Sequence, residues 1–389
     1  MSQLIRIAVS GGGLAGVSLL QALLKSSHLD IHIFESAAAF KESGMAIGIA
    51  RNALAALELI GPSATECLKR AGAVPMKGVR FMLAQGESQG SLIDEVDGEQ
   101  LLAGVPEERM HAAKKKKLDE TKRNDDGSLI LHFTDGTTHE CDILIGADGI
   151  HSTDDPAASP RNTGTWLVMT LQPFSIEDAR EYSWIRDGSF ILHNLLSDGQ
   201  LVQFVIASYD KEAESTDRWN RSVNAEEIKS LYKDWPPHLS KAVDELLCDQ
   251  PEHQGMYLWE HPPAHTYVSG PICVMGDAAH ATTPWQGSGG GMSIEDSLVL
   301  STLLGCAKTP SEAVTALKVY DQVRRPRTHR IVESSHGTGM IMRGRGKDIG
   351  LDLGKLREKL LPRRDFIVDY DNEKHLKKAV EIMKGELKG

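Results

Sequence analysis

The 389-residue sequence predicts an α/β fold: a parallel-sheet unit opened by a β-α-β turn, a smaller α+β portion, and C-terminal helices. Three observations carry this reading. The chain starts on a short apolar run, "LIRIAVS", that breaks into glycines and then into helical periodicity. Its middle holds several β-like runs, "TWLVMTL", "SFILHNLL" and "QLVQFVIAS", with a turn at Asp198 to Gln200, so an antiparallel sheet is expected there. Its last third reads as helix almost throughout.

The elements follow in order. After "LIRIAVS", the stretch "LAGVSLLQALLKSS" places apolar residues at helical spacing, and "DIHIFES" is a second strand that ends in an acid. The segment "SLILHFTDGTTHECDILIGADG" is a hairpin about Asp135-Gly136 leading into a buried strand. Asn224 caps the helix in "NAEEIKSLYKDW", which Pro236-Pro237 closes. "PICVMGDAAH" is a buried strand entering a turn, and "GMSIEDSLVLSTLLG" is a helix. "PSEAVTALKVYDQVRRPRTHRIVESS" reads as two helices parted near Pro326. The run Lys114 to Lys117 reads as a solvated face or loop, and no internal repeat is visible.

Composition narrows the function. Apolar residues make up 41% and charged residues 25%, the proportions of a soluble globular protein with an ample core. A net charge of −11 argues against a nucleic-acid partner, which needs a basic face. No apolar run approaches the ~20 residues of a membrane helix, and "MSQLIRIAVSGGG" lacks the layout of a signal peptide. Cys67, Cys141, Cys248, Cys273 and Cys306 are scattered without CxxC spacing, which fits reduced, mostly buried thiols in a cytoplasmic protein. No spaced ligand set suggests a metal.

Two glycine clusters carry the chemistry. Gly11, Gly13 and Gly16 form GxGxxG after a strand and at the mouth of a helix. In that setting the first glycine makes the turn, the second admits a pyrophosphate, and the third lets helix and strand approach. Glu35 closes the next strand 19 residues after Gly16, where a carboxylate accepts the hydroxyls of an adenosine ribose. An acid there repels a 2′-phosphate, favouring FAD or NAD over NADP. FAD is longer than one such unit can hold. The stretch "GDAAHATTPWQGSGGGMSIED", Gly276 to Asp296, supplies a second hand: Asp277 after a strand, then a glycine-lined helix N-terminus suited to the edge of a flavin.

The set "GGGLAG", "CDILIGADGIHS" and "GDAAH…P…GSGGGMSIED", in this order, resembles the single-component FAD-dependent aromatic hydroxylases (group A flavoprotein monooxygenases), most of all fungal members similar to salicylate hydroxylase. The resemblance runs over nearly the whole chain, including "MAIGIARNALAALELIG" and "YDQVRRPRTHRIVESS". It implies a Rossmann-like FAD domain of residues 1–75, 105–163 and 265–330, a substrate domain of 76–104 and 164–264, and a helical segment 331–389. It implies that Gly11, Gly13, Leu14, Ala15, Gly16, Glu35 and Ser36 hold the AMP half of FAD. Arg51 and Arg109 match the family's FAD-proximal arginines, and Asp148-Gly149 its Asp-Gly motif. Gly276 and Asp277 match the second FAD fingerprint, with Pro284, Gly289, Gly290, Gly291 and Met292 beside the flavin ring.

The implied reaction uses NADH or NADPH, taken up transiently, and O2 to hydroxylate a phenolic acid-like ring through a flavin C4a-hydroperoxide, in a monomer or homodimer. His193 is a candidate base, on the sheet expected to roof the ring. His280 closes a strand-turn, where structural roles outnumber catalytic ones. Trp285 is a candidate pocket wall, and no basic residue for a substrate carboxylate stands out. The chain departs from the family after Arg109, where "RMHAAKKKKLDETKRNDDGS" replaces a helix and a further strand, and after "GADGIHS", where "TDDPAASPRN" follows directly. Two other readings remain open: an FAD-dependent epoxidase or oxidoreductase of secondary metabolism, and a flavin-binding protein without turnover. The Trp-x-Trp-x-x-Pro signature of flavin halogenases is absent.

Overall fold

The computed structural model describes residues 4–37, 47–70, 73–104, 114–152, 159–173, 180–196 and 201–388. Its nucleotide-type sheet centres on β1 (Ile5–Ser10), parallel to β2 (Leu29–Glu35) on one side and to β10 (Ile143–Gly146) on the other. Beyond β10 lie β18 (Ile272–Val274), also parallel, and β17 (Val268–Ser269), antiparallel. Beyond β2 lies β6 (Lys114–Lys115). Strands covered on both faces are apolar without alternation, and Ile5, Ile7, Val9, Ile143 and Ile145 are all fully buried. Helices α1 (Leu14–Leu23), α7 (Gly289–Cys306) and α8 (Pro310–Met342) cover one face through Leu19, Leu23, Leu300, Leu303 and Leu317. A small sheet of β7 (Leu118–Arg123), β8 (Leu129–Phe133) and β9 (Thr138–Cys141) covers the other, packing Leu131 and Phe133 on Ala8, Phe34 and Leu144.

The larger sheet runs, in spatial order, β15 (Asn220–Asn224), β16 (Glu252–Glu260), β11 (Arg161–Pro173), β14 (Leu201–Tyr209), β13 (Ser189–Leu196), β12 (Glu181–Arg186), β4 (Val74–Leu83), β5 (Leu92–Gly104) and β3 (Ile47–Ile49). Its two faces have different partners. Trp166, Trp184, Ile191 and Phe204 pack against α4 (Ala225–Tyr232) and α5 (Pro237–Leu247), through Ile228, Tyr232 and Leu239. On the opposite face Phe81, Ile185, Phe190 and Leu196 meet Trp285, the end of α8 and α9 (Leu353–Lys359). Helices α2 (Arg51–Ile60) and α3 (Pro62–Arg70) precede β4, and α2 packs on α7. The four-residue α6 (Asp277–His280) follows β18, and α10 (Pro362–Val368) and α11 (Asn372–Glu386) end the chain.

Several expectations are corrected. The stretch expected to divide at Pro326 is one helix, α8. A proline removes one i→i−4 hydrogen bond, but the flanking turns are held by tertiary contacts. Tyr320 and Ile331 are fully buried, and Arg324 and Arg327 are bound to acids of α7. Of the lysine run, read as a solvated face or loop, Lys114 and Lys115 form an edge strand in register with Phe34 and Glu35 and are not loop. That edge and β7 fill the place where the sequence looked short of a strand. Of the cysteines only Cys141 and Cys273 are buried; Cys67 and Cys306 are exposed. The hairpin at Asp135-Gly136 and the Asn224 cap form as expected, the Asn224 Oδ1 accepting from the Glu227 N–H at 2.8 Å. The turn expected at Asp198 to Gln200 lies outside the described residues. Among the described residues no helix is long and apolar enough to cross a membrane.

Candidate functional site

The first glycine turn is packed on two sides and open on the third. The Gly11 N–H donates to the Phe34 carbonyl at 2.7 Å, with φ +111°, a conformation that favours glycine. A Cβ on Gly11 would lie 2.2 Å from the Ala147 oxygen, and one on Gly16 would lie 2.0 Å from the Gly11 oxygen. Neither position has room for a side chain. At Gly13 a Cβ would meet nothing within 4 Å, and Gly13 and Leu14 are exposed. Gly13 is also the N-cap of α1 and offers no side-chain cap, so the first-turn N–H groups face this opening. Ala15 is buried against the second turn. Glu35 is oriented beside the turn: one carboxylate oxygen accepts from the Gly12 N–H at 2.7 Å, the other from the Ala37 N–H at 2.7 Å and the Ser36 hydroxyl at 3.1 Å. Burial raises the Glu35 pKa, but these donors outweigh it and hold the carboxyl below its ordinary value.

The second turn lies directly on the first. Gly276 has φ +58°, and a Cβ there would be 2.6 Å from the Ala15 methyl and 3.0 Å from the Ser293 hydroxyl. A Cβ on Gly290 would be 3.0 Å from Leu14 Cδ2, and one on Gly291 3.4 Å from the Ala53 methyl. The Ser18 and Ser297 hydroxyls join α1 to α7 at 2.7 Å. Two clusters some 260 residues apart are thus one place in the fold. Gly289 opens α7 beside Asp277, whose Oδ1 is 3.9 Å from the Gly289 Cβ position. Asp277 is solvent-exposed. Desolvation by the surrounding protein raises its carboxyl pKa, and His280 and His261 pull the other way.

Behind α7 is a buried charge network. Arg324 donates to Asp296 and Glu295, both at 2.8 Å, and Arg327 binds both oxygens of Glu295 at 2.7 Å. His280 Nε2 meets Asp296 at 2.6 Å, and Asn52 donates to Glu295 at 2.7 Å. Burial opposes the charge on both acids, but the arginines and His280 outweigh it and hold their pKa values down. His280 is therefore a structural residue of this network. The network anchors the helix whose N-terminus faces the opening.

Other anticipated residues fall as follows. Asp148, whose backbone lies against Gly11 of the first turn, is exposed, and Gly149, at φ +82°, follows it in the loop after β10. Pro284 is exposed at the head of a 3-10 turn to Gln286. Trp285 packs edge-to-face on Phe190, centroids 5.4 Å apart, and its indole covers Gly339 of α8. Met292 is buried with Ile331, Val332 and Ile367, and its N–H is committed to the Ser288 carbonyl, so it faces the core and not the opening. Arg51 ion-pairs with Asp369 and donates to the Val368 carbonyl at 3.2 Å. Arg109 lies outside the described residues.

His193 is a correction. It registers with Tyr182 and Phe204 and accepts from the Trp184 indole N–H at 3.2 Å, which puts it on the face covered by α4 and α5. The pleat gives the opposite face to its neighbours, Leu192 and Asn194. Desolvation, and then His238, lower its pKa to about 4. It is a neutral packed histidine, not a base over the ring. The sequence contained the signal: alternation along "SFILHNLL" pairs His193 with Ile191 and Leu195, not with Phe190.

With this geometry in place, comparison with known proteins is specific. The sequence matches the family described as FAD binding domain over residues 5–335. It is 31% identical to the 6-methylsalicylate 1-monooxygenase atA of Aspergillus terreus, over 98% of this chain and 93% of that protein. It is 28% identical to a salicylate hydroxylase of Pseudomonas putida, over 94% of this chain and 92% of that one. In fold it is similar to a salicylate hydroxylase solved as a substrate complex, with TM-score 0.83 and 23% identity, covering 97% of this chain and 98% of that one.

Proposed function

Because the chain belongs to the FAD-binding family of flavin-dependent aromatic monooxygenases, we propose that it hydroxylates a phenolic acid of the salicylate type. The carrying observation is that the two glycine turns and two helix N-termini converge on one opening. This suits a ligand longer than one nucleotide unit. The open side of Gly13, the oriented Glu35 and Asp277 beside the α7 N-terminus fit FAD. In this reading Gly11 to Gly16, Glu35 and Ser36 hold its AMP half, and Arg51, Asp148 and Gly149 lie along its middle. Gly276, Asp277, Pro284 and Gly289 to Gly291 hold the flavin half.

Bound FAD takes reducing equivalents from NAD(P)H and activates O2; the rest falls to the protein. The α7 N-terminus favours negative charge at its mouth. Pro284 and Trp285 face the ring, and the larger sheet excludes water above it. The relatives named above act on salicylate or 6-methylsalicylate by name, which supports a ring bearing adjacent hydroxyl and carboxylate. The enzyme acts in the cytoplasm, as a monomer or homodimer.

The test is NAD(P)H oxidation and O2 uptake with a panel of phenolic acids, phenols and alkenes, with product identification. The expected result is faster NAD(P)H consumption with a phenolic acid and a hydroxylated product. Oxidation at one rate with every compound, yielding only hydrogen peroxide, would contradict it.

A further inference from the structure

Helix α10 packs beside α8 and the turn that follows α6. The Arg363 carbonyl accepts from Gln286 and Ser334, both at 3.3 Å, which ties it to the turn headed by Pro284. At its other end the carbonyls of Phe366 and Ile367 accept from Arg327, and that of Val368 accepts from Arg51. Arg364 therefore stands between the Pro284 turn and Arg51. Its side chain lies within electrostatic reach of Glu181 on β12, so it faces the Trp285 side of the larger sheet.

Its guanidinium is half-buried and makes no hydrogen bond or ion pair with any described residue. This differs from Arg324 and Arg327, whose donors are bound to acids and carbonyls. A guanidinium withdrawn from water without an anion is unfavourable. The nearest candidate anion is Glu181, within electrostatic reach but not in contact, and burial pushes its carboxyl up toward the neutral form.

The sheet opposite carries a row of polar groups. Glu181, which is hydrogen-bonded to Ser183, shares one face of β12 with Ser183 and Ile185, and extending the β12–β13 register by one residue sets Glu181 beside Asn194. Asn194 registers in turn with Gln203 on β14. Asn194 is 4% exposed, and its side-chain oxygen has no hydrogen-bond partner. Gln203 donates only to the Met169 sulfur, a weak acceptor. Buried polar groups without partners are rare in folded proteins, and here the Asn194 oxygen, unpartnered among the described residues, shares one face with an unpaired cation. Around them the surface is apolar: Trp285, Leu192, Val205 and Met169 suit a flat ring.

We propose that Arg364 anchors the carboxylate of an aromatic acid substrate, whose ring lies over the Glu181–Asn194–Gln203 row. This rests on the reading of the chain as an aromatic monooxygenase, and it makes Arg364 the residue that selects acids over neutral phenols. A planar guanidinium pairs a carboxylate through two parallel hydrogen bonds, which lysine cannot reproduce.

The test is titration of the FAD-loaded protein with salicylate and with salicylamide, its neutral counterpart of the same shape, following the flavin absorbance. In R364M, FAD should remain at one per chain, salicylate should weaken by about 30-fold, and salicylamide by less than about threefold. R364K should recover part of the salicylate affinity. Loss of FAD from folded R364M would overturn the proposal, because the guanidinium would then serve the cofactor. Equal weakening of both probes, or none of salicylate, would overturn it too. If R364M does not fold, the native protein decides. A tenfold or greater preference for salicylate supports the proposal, and equal affinity overturns it. If phenols bind and are hydroxylated but acids are excluded, the monooxygenase reading stands and the role of Arg364 falls. If no aromatic probe affects the flavin or its turnover, the functional reading falls first and this proposal with it.

Discussion

Three glycines of one motif answer to three constraints, and single substitutions separate them. Gly16 has no room for a methyl group beside the Gly11 carbonyl, so Gly16→Ala is expected to destabilise the fold by about 3 kcal/mol. Gly13→Val meets open space in the protein itself and should leave the melting temperature nearly unchanged. It should weaken FAD by about 100-fold, since the ligand backbone passes where the side chain would be. Thermal unfolding and flavin release measure both. A Gly13 variant that keeps its FAD would contradict the site. His193 gives a residue-scale pH dependence. Its folded pKa, about 4, lies below the ordinary value near 6.5, so the unfolded chain takes the proton first. Its contribution to stability is complete above pH 6.5 and is lost as pH falls toward 4, at most about 3 kcal/mol. H193Q should flatten that part of the pH–stability curve and leave substrate-dependent turnover within about twofold.

At the scale of elements, helix α7 is the piece on which the site depends. Its first turn faces the opening, and its third-turn neighbours Glu295 and Asp296 are held by α8. Removing one partner of a buried pair leaves the other uncompensated, so Arg324→Met is expected to destabilise by about 3–5 kcal/mol. FAD affinity should fall with it, because the helix end is no longer fixed. Both acids titrate below their ordinary values. Their contribution is therefore present above the ordinary carboxylate range and is lost as pH falls through the folded values. Acid unfolding of R324M should begin at higher pH than that of the native protein; coincident acid transitions would show that the network carries no linkage. Local pattern made β1, α1, β2 and α7 legible in sequence, since glycine, strand and acid stood at fixed spacing. It misread α8, because the penalty at Pro326 is local whereas its compensation, the α7 acids Glu295 and Asp296 that bind Arg324 and Arg327, comes from elsewhere in the chain. It misplaced His193 by one step of the pleat, which reverses the face.

At the scale of the whole molecule, helix α8 joins the two sheets, packing on the parallel one through Leu317 and on the larger one through Ile341 and Met342. The parallel sheet with its glycine turns was readable because each constraint lies within a few residues of the next. The substrate side was not. Glu181, Asn194, Gln203 and Arg364 are ordinary polar residues in sequence, and only the register of β12, β13 and β14 and the path of α10 bring them to one face. The alignment with the Aspergillus terreus monooxygenase spans 417 positions against 389 residues here, so at least 28 of its positions have no counterpart in this chain. Yet the larger sheet, the parallel sheet and the turns that meet between them are all in place. In the proposed function the two glycine clusters grip one dinucleotide. The most direct measurement is the visible spectrum of the purified protein, with the released flavin identified and counted for the native chain and for Gly13→Val. The account expects about one FAD per native chain and little or none in the variant. A folded native protein that is colourless and takes up no added FAD would contradict it.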